Sequence, residues 1–239
     1  MSKKKIVIII VSALVALTLI IGGIHIVNAI KDHIRREELK RLAREYYENK
    51  LLSYASENAG IIPGEVDAVF LGDSLTDGYD LAKYYPGIKA LNRGISGDTT
   101  VGLEDRLEVS VYDVKPKVAL MLIGANNMDT MLENYEDILK GFKENLPDTE
   151  IMLISLTAMG GEHWGRKNQL ACYNNVAIKK LAEEYGYTYI DVYTPLFDPR
   201  IGEVYEGLTT DGGHFTNEGY EVVTATIMPY LYEALGIAQ

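Results

Sequence analysis

A serine, a histidine and an aspartate, far apart in the chain, are the residues that could together do nucleophilic chemistry. Ser74 follows Val69-Phe-Leu-Gly-Asp73, an apolar run that stops abruptly at glycine and aspartate. A serine so placed is either the cap of a following helix or, exposed on a strand-to-helix turn, a nucleophile. A nucleophilic serine needs a base, and the four histidines leave little choice. His25 lies in an apolar N-terminal run and His33 in the charged stretch after it, so His163 and His214 remain. His214 stands in Thr210-Asp-Gly-Gly-His-Phe-Thr-Asn217, with Asp211 just upstream. Asp211 could hold the ring through Nδ1 while Nε2 faces Ser74. Taken alone, Asp-x-x-His is equally the mark of a turn stabilised by its aspartate.

Acyl chemistry also needs donors aimed at a developing oxyanion. Two loops could supply them. In Asn92-Arg-Gly-Ile-Ser-Gly-Asp-Thr99, Gly97 permits close backbone approach to a ligand. In Leu122-Ile-Gly-Ala-Asn-Asn127, Gly124 ends an apolar run and asparagine follows. Either loop could be ordinary turn chemistry.

The elements that would position these residues follow from hydrophobic period. Strands are expected near 67–72, 88–92, 117–124, 150–156 and 187–192, and helices near 75–84, 100–109, 132–145, 168–185 and 216–235. Strict alternation of this kind predicts βαβ units and a mostly parallel sheet with helices on both faces. In such a sheet ligands bind at the carboxyl ends of the strands, where Ser74, Gly97 and Asn126 would all fall. The 17 tyrosines include pairs such as Tyr84-Tyr85 that could line a carbohydrate or lipid site, although most read as half-buried helix and strand residues.

With these stretches in view, the chain resembles the GDSL, or SGNH, hydrolase family over roughly residues 65–236. The motifs that carry the resemblance come in order: Gly-Asp-Ser-Leu at 72–75, Gly97 within Arg-Gly-Ile-Ser-Gly-Asp-Thr, Gly-Ala-Asn-Asn at 124–127 and Asp-Gly-Gly-His at 211–214. No single one is specific; their order and spacing are. The resemblance implies a three-layer α/β/α sandwich with a flavodoxin-like five-stranded sheet and ester hydrolysis without metal or cofactor. It implies Ser74 as nucleophile, His214 as base and Asp211 as its orienter, with the Ser74 N–H, the Gly97 N–H and the Asn126 side chain as oxyanion hole. The chain departs from the family at Asn127, where aspartate is usual, and at Phe215, where leucine commonly follows the histidine. The lost carboxylate leaves open how Asn126 is braced.

The N-terminus carries a different signal. Lys3, Lys4 and Lys5 precede an apolar run from Ile6 to Val27. That is about the 20 residues that span a bilayer, longer than the roughly 15 of a signal peptide core. An uncleaved anchor is therefore expected, with a cleaved signal and a secreted protein as the competitor. Basic residues Lys31 to Arg44 outnumber the three lysines before the run, so the positive-inside count opposes export of the body. The short basic tail leading directly into the run favours it, and an extracytoplasmic body is expected. Residues 31–64 read as a charged helical stalk and linker with a thin apolar stripe at Ile34, Leu39, Leu42, Tyr46 and Leu51, either free of the body or packed on it. The expected division is 1–30 tail and anchor, 31–64 stalk and linker, 65–239 hydrolase domain.

Charge narrows the partners. Residues 1–57 hold 10 of the 23 Lys and Arg and 6 of the 34 Asp and Glu, leaving a strongly acidic body that would repel nucleic acid. The single cysteine, Cys172, cannot form an internal disulfide and reads as a buried small hydrophobe on an amphipathic helix. Rival chemistries fit poorly. A haloacid-dehalogenase-like phosphatase using Asp73 would need a second aspartate where Leu75 stands, and two distant histidines do not make a zinc site. A silent binding protein on the same fold remains as an alternative.

The substrate is read from loop composition. The segments around Ser74 are polar or glycine-rich, and Trp164, with His163 and Arg166 beside it in Met159-Gly-Gly-Glu-His-Trp-Gly-Arg166, is expected to line the substrate site. A short-chain esterase acting on an acylated cell-surface glycan is expected. A lysophospholipase or thioesterase for longer acyl chains is the alternative.

Overall fold

The structure, a computed structural model, describes residues 2–238, apart from the side chains of residues 8–17, 19 and 20. The chain divides into two units, Met1–Asn49 and Lys50–Gln239. Helix α1 (Lys3–Asn58) covers both stretches expected as anchor and stalk. In the first unit α1 carries exposed ion pairs one turn apart, such as Lys40 with Glu37 and Arg41 with Glu38, spacings that support a solvated helix. Ile34, Leu39 and Leu42 of the apolar stripe stay exposed. Among the described residues no helix is long and apolar enough to cross a membrane. Most side chains of the Ile6–Val27 run, on which the expected anchor rests, lie outside the described residues.

In the second unit the elements follow as β1 (Ala68–Gly72), α2 (Ser74–Asp77), α3 (Leu81–Tyr84), β2 (Ala90–Gly94), α4 (Thr100–Asp105), β3 (Val118–Leu122), α5 (Leu132–Asn145), β4 (Glu150–Ile154), α6 (Gly161–Trp164), α7 (Asn168–Tyr185), β5 (Thr188–Ile190), α8 (Tyr193–Leu196), β6 (Phe197–Asp198), β7 (Glu203–Val204) and α9 (Asn217–Leu235). The first five strands form one parallel sheet in the order β2-β1-β3-β4-β5. β6 and β7 make a small antiparallel pair. Chain order reverses beside β1, between β2 and β3, and an open α/β sheet binds ligands at the carboxyl ends around such a point.

Residues alternate along the strands between two cores, because a strand points successive side chains to opposite faces. Val69, Leu71, Met121 and Leu153 pack with Leu103, Ile138, Phe142 and Ile178 from α4, α5 and α7. Phe70, Leu120, Met152 and Ile154 pack on the other face with Tyr85, Val223, Ile227 and Leu231. The result is the expected layering of helices on both sides of a parallel sheet.

Three expectations change. The helix expected over 75–84 breaks into α2 and α3, because the Asp80 side chain caps a new helix by accepting from the Lys83 N–H, and Tyr79 between them turns into the core. Tyr84 and Tyr85 are core residues beside it and line no surface site. Cys172 is exposed. The buried face of α7 runs through Asn168, Ala171, Asn175, Ile178 and Ala182, a spacing of three and four residues that leaves position 172 outside it.

Candidate active site

Ser74 opens the short turn after β1, behind Asp73, whose carboxylate accepts from the Leu75 N–H. Asp73 is both the cap and a buried charge, and burial pushes its carboxyl up to about 6, with Asp98 adding repulsion against the pull of the Leu75 N–H. The cap of this turn is thus Asp73 and not Ser74, whose hydroxyl faces His214.

His214 reaches Ser74 from the loop before α9. Its Nε2 lies 3.0 Å from Ser74 Oγ, and its Nδ1 lies 2.8 Å from Asp211 Oδ2. The other carboxylate oxygen accepts from the backbone N–H groups of Gly213 at 2.9 Å and His214 at 2.8 Å. Partial burial pushes the Asp211 carboxyl up, but the His214 N–H, the His214 ring and the Gly213 N–H outweigh it and hold it well below the usual carboxylate range. An ionised carboxylate only accepts, so Nδ1 carries the ring proton and Nε2 is left to accept from the Ser74 hydroxyl. That is the tautomer a general base needs.

Two further strand ends meet this pair. Gly97, after β2, has φ of 82°, a left-handed conformation that a side chain would strain. Among the described residues neither its N–H nor that of Ser74 has an intramolecular acceptor. Asn126, after β3, donates one carboxamide hydrogen to Asp98 O at 2.8 Å, and its second remains for a ligand. Asn127 answers how the segment is braced without the usual aspartate. Its Oδ1 accepts from the Thr100 N–H at 3.3 Å and its Nδ2 donates to Thr100 Oγ1 at 2.9 Å, tying the loop to the start of α4.

Ser74, Asp77, Gly78, Ser96, Gly97, Asn126, Trp164 and His214 together line an open cleft of about 570 Å³. A second, mainly apolar pocket of about 20 Å³, between Leu75 and α9, is too small for a substrate. Of the residues expected to bind substrate, Trp164 reaches the cleft, while His163 and Arg166 are exposed and lie outside its lining. The Trp164 ring meets the His214 ring edge to face at 5.8 Å and 88°. It also lies so close to Gly213 that a Cβ there would stand 2.6 Å from the indole. Among the described residues no group of three or more His, Cys, Asp or Glu is placed to hold a metal ion.

The sequence reading missed the residues behind the loops. Arg106 is fully buried and its guanidinium donates to Asp98 Oδ2 at 2.8 Å, Arg93 O at 2.8 Å, Ser110 Oγ at 2.9 Å and Gly72 O at 3.0 Å. It thereby joins the ends of β1 and β2 to the Gly97 loop. Asn92 does a similar service, donating to Thr76 O at 2.6 Å and accepting from the Gly94 N–H at 2.9 Å. An arginine on a polar helix carries no local mark of such burial.

The GDSL-like lipase/acylhydrolase family profile matches residues 70–222. No curated protein matches the chain. Among solved structures it is similar to a Streptococcus pneumonia protein proposed to be a platelet activating factor, at 25% identity over 83% of this chain and 99% of that one, with a TM-score of 0.75. It is similar in fold to a GDSL-like lipase from Bacteroides thetaiotaomicron at 24% identity, over 77% and 98% of the two chains, with a TM-score of 0.69. A catalytic mutant of an acetylxylan esterase from Geobacillus stearothermophilus shares the fold at 20% identity, over 74% and 97%, with a TM-score of 0.58.

Proposed function

Because the chain belongs to the GDSL-like lipase/acylhydrolase family and is a serine hydrolase acting on esters, we propose that it removes a short, acetyl-type acyl group from an acylated glycan through Ser74, His214 and Asp211. The observation that carries this reading is the unbroken relay from Asp211 through His214 to Ser74 at an open cleft lined by small polar residues and glycines together with Trp164. Among the described residues Trp164 is the one large apolar side chain in that lining, which supports a short acyl group over a long chain.

In the proposed reaction Ser74 Oγ attacks the ester carbonyl carbon as its proton passes to His214 Nε2. The carbonyl π electrons move to oxygen, where the N–H groups of Ser74 and Gly97 and the free hydrogen of Asn126 Nδ2 receive the charge. Collapse breaks the bond to the alcohol oxygen, which takes the proton from His214 and leaves an acyl-Ser74. Water, deprotonated by His214, reverses the sequence and releases the acid. Asp211 stays ionised throughout and steadies the imidazolium.

A p-nitrophenyl ester series tests the acyl preference. kcat/KM is expected to peak at acetate or butyrate, and a maximum at eight carbons or beyond would replace this reading with a lysophospholipase- or thioesterase-like one. We further propose that residues 6–27 anchor the protein in a membrane with the body outside the cytoplasm. Supporting this are Lys3–Lys5 ahead of a run of spanning length and the exposure of Ile21, Ile24, Ile26 and Val27 along α1. Protease added to intact cells is expected to degrade the body; survival until lysis would reverse the orientation.

A further inference from the structure

We propose that Lys50, at the start of the last turns of α1, is a positioning residue for catalysis that sets the Gly97 loop through Asp77 and Ser96. The inference rests on the reading of Gly97 as an oxyanion donor. Lys50 Nζ donates to Asp77 Oδ1 at 2.7 Å, and Asp77 Oδ2 accepts from the Ser96 N–H at 3.0 Å and from Ser96 Oγ at 2.6 Å. Asp77 is nearly buried, its side chain 9% exposed, and Lys50 is partly covered at 26%. Both Asp77 and Ser96 line the cleft, and the next residue along is Gly97.

The same turns hold the other end of the loop. Tyr54 is buried and its hydroxyl donates to Gly94 O at 2.6 Å. The Arg93 guanidinium lies 4.5 Å above the Tyr54 ring and donates to Glu57 and to Asn58 Oδ1. The segment from Gly94 to Ser96 is therefore held from outside by α1 while Arg106 and Asp98 hold it from within.

Charge gives Lys50 a particular part in this. A carboxylate shared between an ammonium and two donors of one serine is confined to a single orientation, because charge-assisted bonds are short and directional. Without Lys50, Asp77 would keep the Ser96 bonds but lose the charge-assisted bond to its other oxygen. The loop would gain freedom in the direction that moves the Gly97 N–H off the oxyanion. Such a residue acts on the transition state, where the donor is used, and little on substrate binding.

The test compares Lys50→Met, Lys50→Arg, Asp77→Asn, the double variant Lys50→Met with Asp77→Asn, and Asn126→Ala in the full chain. Each uses p-nitrophenyl acetate, with active sites counted by a fluorophosphonate probe. Lys50→Met is expected to lower kcat per titrated site by about ten- to a hundredfold, the scale of a misplacement of up to about 1 Å, with KM within about twofold. Lys50→Arg should recover most of the loss, and the double variant should be no slower than the slower single one. A merely structural Lys50 would lower the melting temperature and the number of titrated sites but not kcat per site. That result, or additive losses in the double variant, would overturn the proposal. Asn126→Ala separates the premise from the inference. If it loses activity while Lys50→Met does not, the strut alone is wrong; if it does not lose activity, the oxyanion reading underneath is wrong.

Discussion

The two sides of the cleft are built by opposite means. On the strand side, the Gly97 loop leans on Arg106 and Asp98, whose side chains are 0% and 4% exposed, and on bonds that reach across β1, β2 and α4. On the loop side, His214 and Asp211 are 45% and 48% exposed and are held mainly by bonds within four consecutive residues, with Trp164 against them. The proposed oxyanion donors would have to be stationary before the reaction, since their worth would lie in preorganisation. The proposed base would instead turn between two proton partners, and a local turn with an ionised aspartate is enough to hold its tautomer. The difference teaches that stability and catalysis are separable on one side of this cleft and joined on the other.

The comparison breaks first at the relay. His214→Ala and Ser74→Ala are each expected to lower kcat by about 10⁴-fold or more, with the double variant no worse than the slower single one. Melting temperature should hardly move for His214→Ala, because the side chain is half exposed. A large thermal loss in that variant would show that the loop side is structural after all.

Arg106→Met is the counterpart on the strand side. Removing the guanidinium leaves the buried Asp98 carboxylate without its counter-charge, with the Thr99 N–H still donating to it, which should cost about 3–5 kcal/mol of stability in denaturant titration. Adding Asp98→Asn should return part of it. Asn126→Ala, between the two extremes, is expected to lower kcat by about 10²–10³-fold with KM nearly unchanged, the effect of one lost oxyanion donor. Asn127→Ala, which loses the ties to Thr100 and Thr130, should cost less than Asn126→Ala.

A pH series sharpens the picture beneath the nucleophile. Burial raises the folded-state value of Asp73 to about 6, above the roughly 4 of an unfolded aspartate. The folded state therefore favours the neutral acid, and stability is lost as pH rises from about 4 to about 6 and stays lost above. Asp73→Asn does not titrate, and its amide oxygen can still accept from the Leu75 N–H. Relative to the unsubstituted protein it should be near neutral at pH 4 and more stable at pH 8 by up to about 3 kcal/mol, read from thermal melts across pH. The smallest effect is expected at His163, exposed and outside the cleft lining. His163→Ala should change KM by no more than a few-fold, whereas Trp164→Ala, which strips the face beside His214, should lower kcat as well.

Much of the candidate site's geometry was legible because it is local. A glycine, an aspartate and a serine at the end of an apolar run describe a turn after a strand, and Asp211 lies close enough to His214 in the chain for one turn to join them. The long helices α5 and α7 fall where hydrophobic period predicts them, since an amphipathic face of several turns is written in consecutive residues. The short pieces were not legible. α2 and α3 read as one helix because nothing local says that Tyr79 is to be buried against Phe70 and Tyr220.

The sequence by itself determined the reaction-bearing residue types, their order and the alternation of strands and helices, because each is coded over a few neighbouring positions. Only the tertiary structure decided the strand order β2-β1-β3-β4-β5, which brings Ser74, Gly97 and Asn126 to one edge of the sheet. It alone set Arg106 under the Gly97 loop and Lys50 beside Asp77, and it turned Cys172 outward. A charged side chain reads as solvated from sequence, since arginine and lysine are almost never fully buried unless paired. Arg106 is covered where it reaches Gly72 O at the end of β1, and Lys50 is partly covered where it meets Asp77, separations over which no local pattern extends.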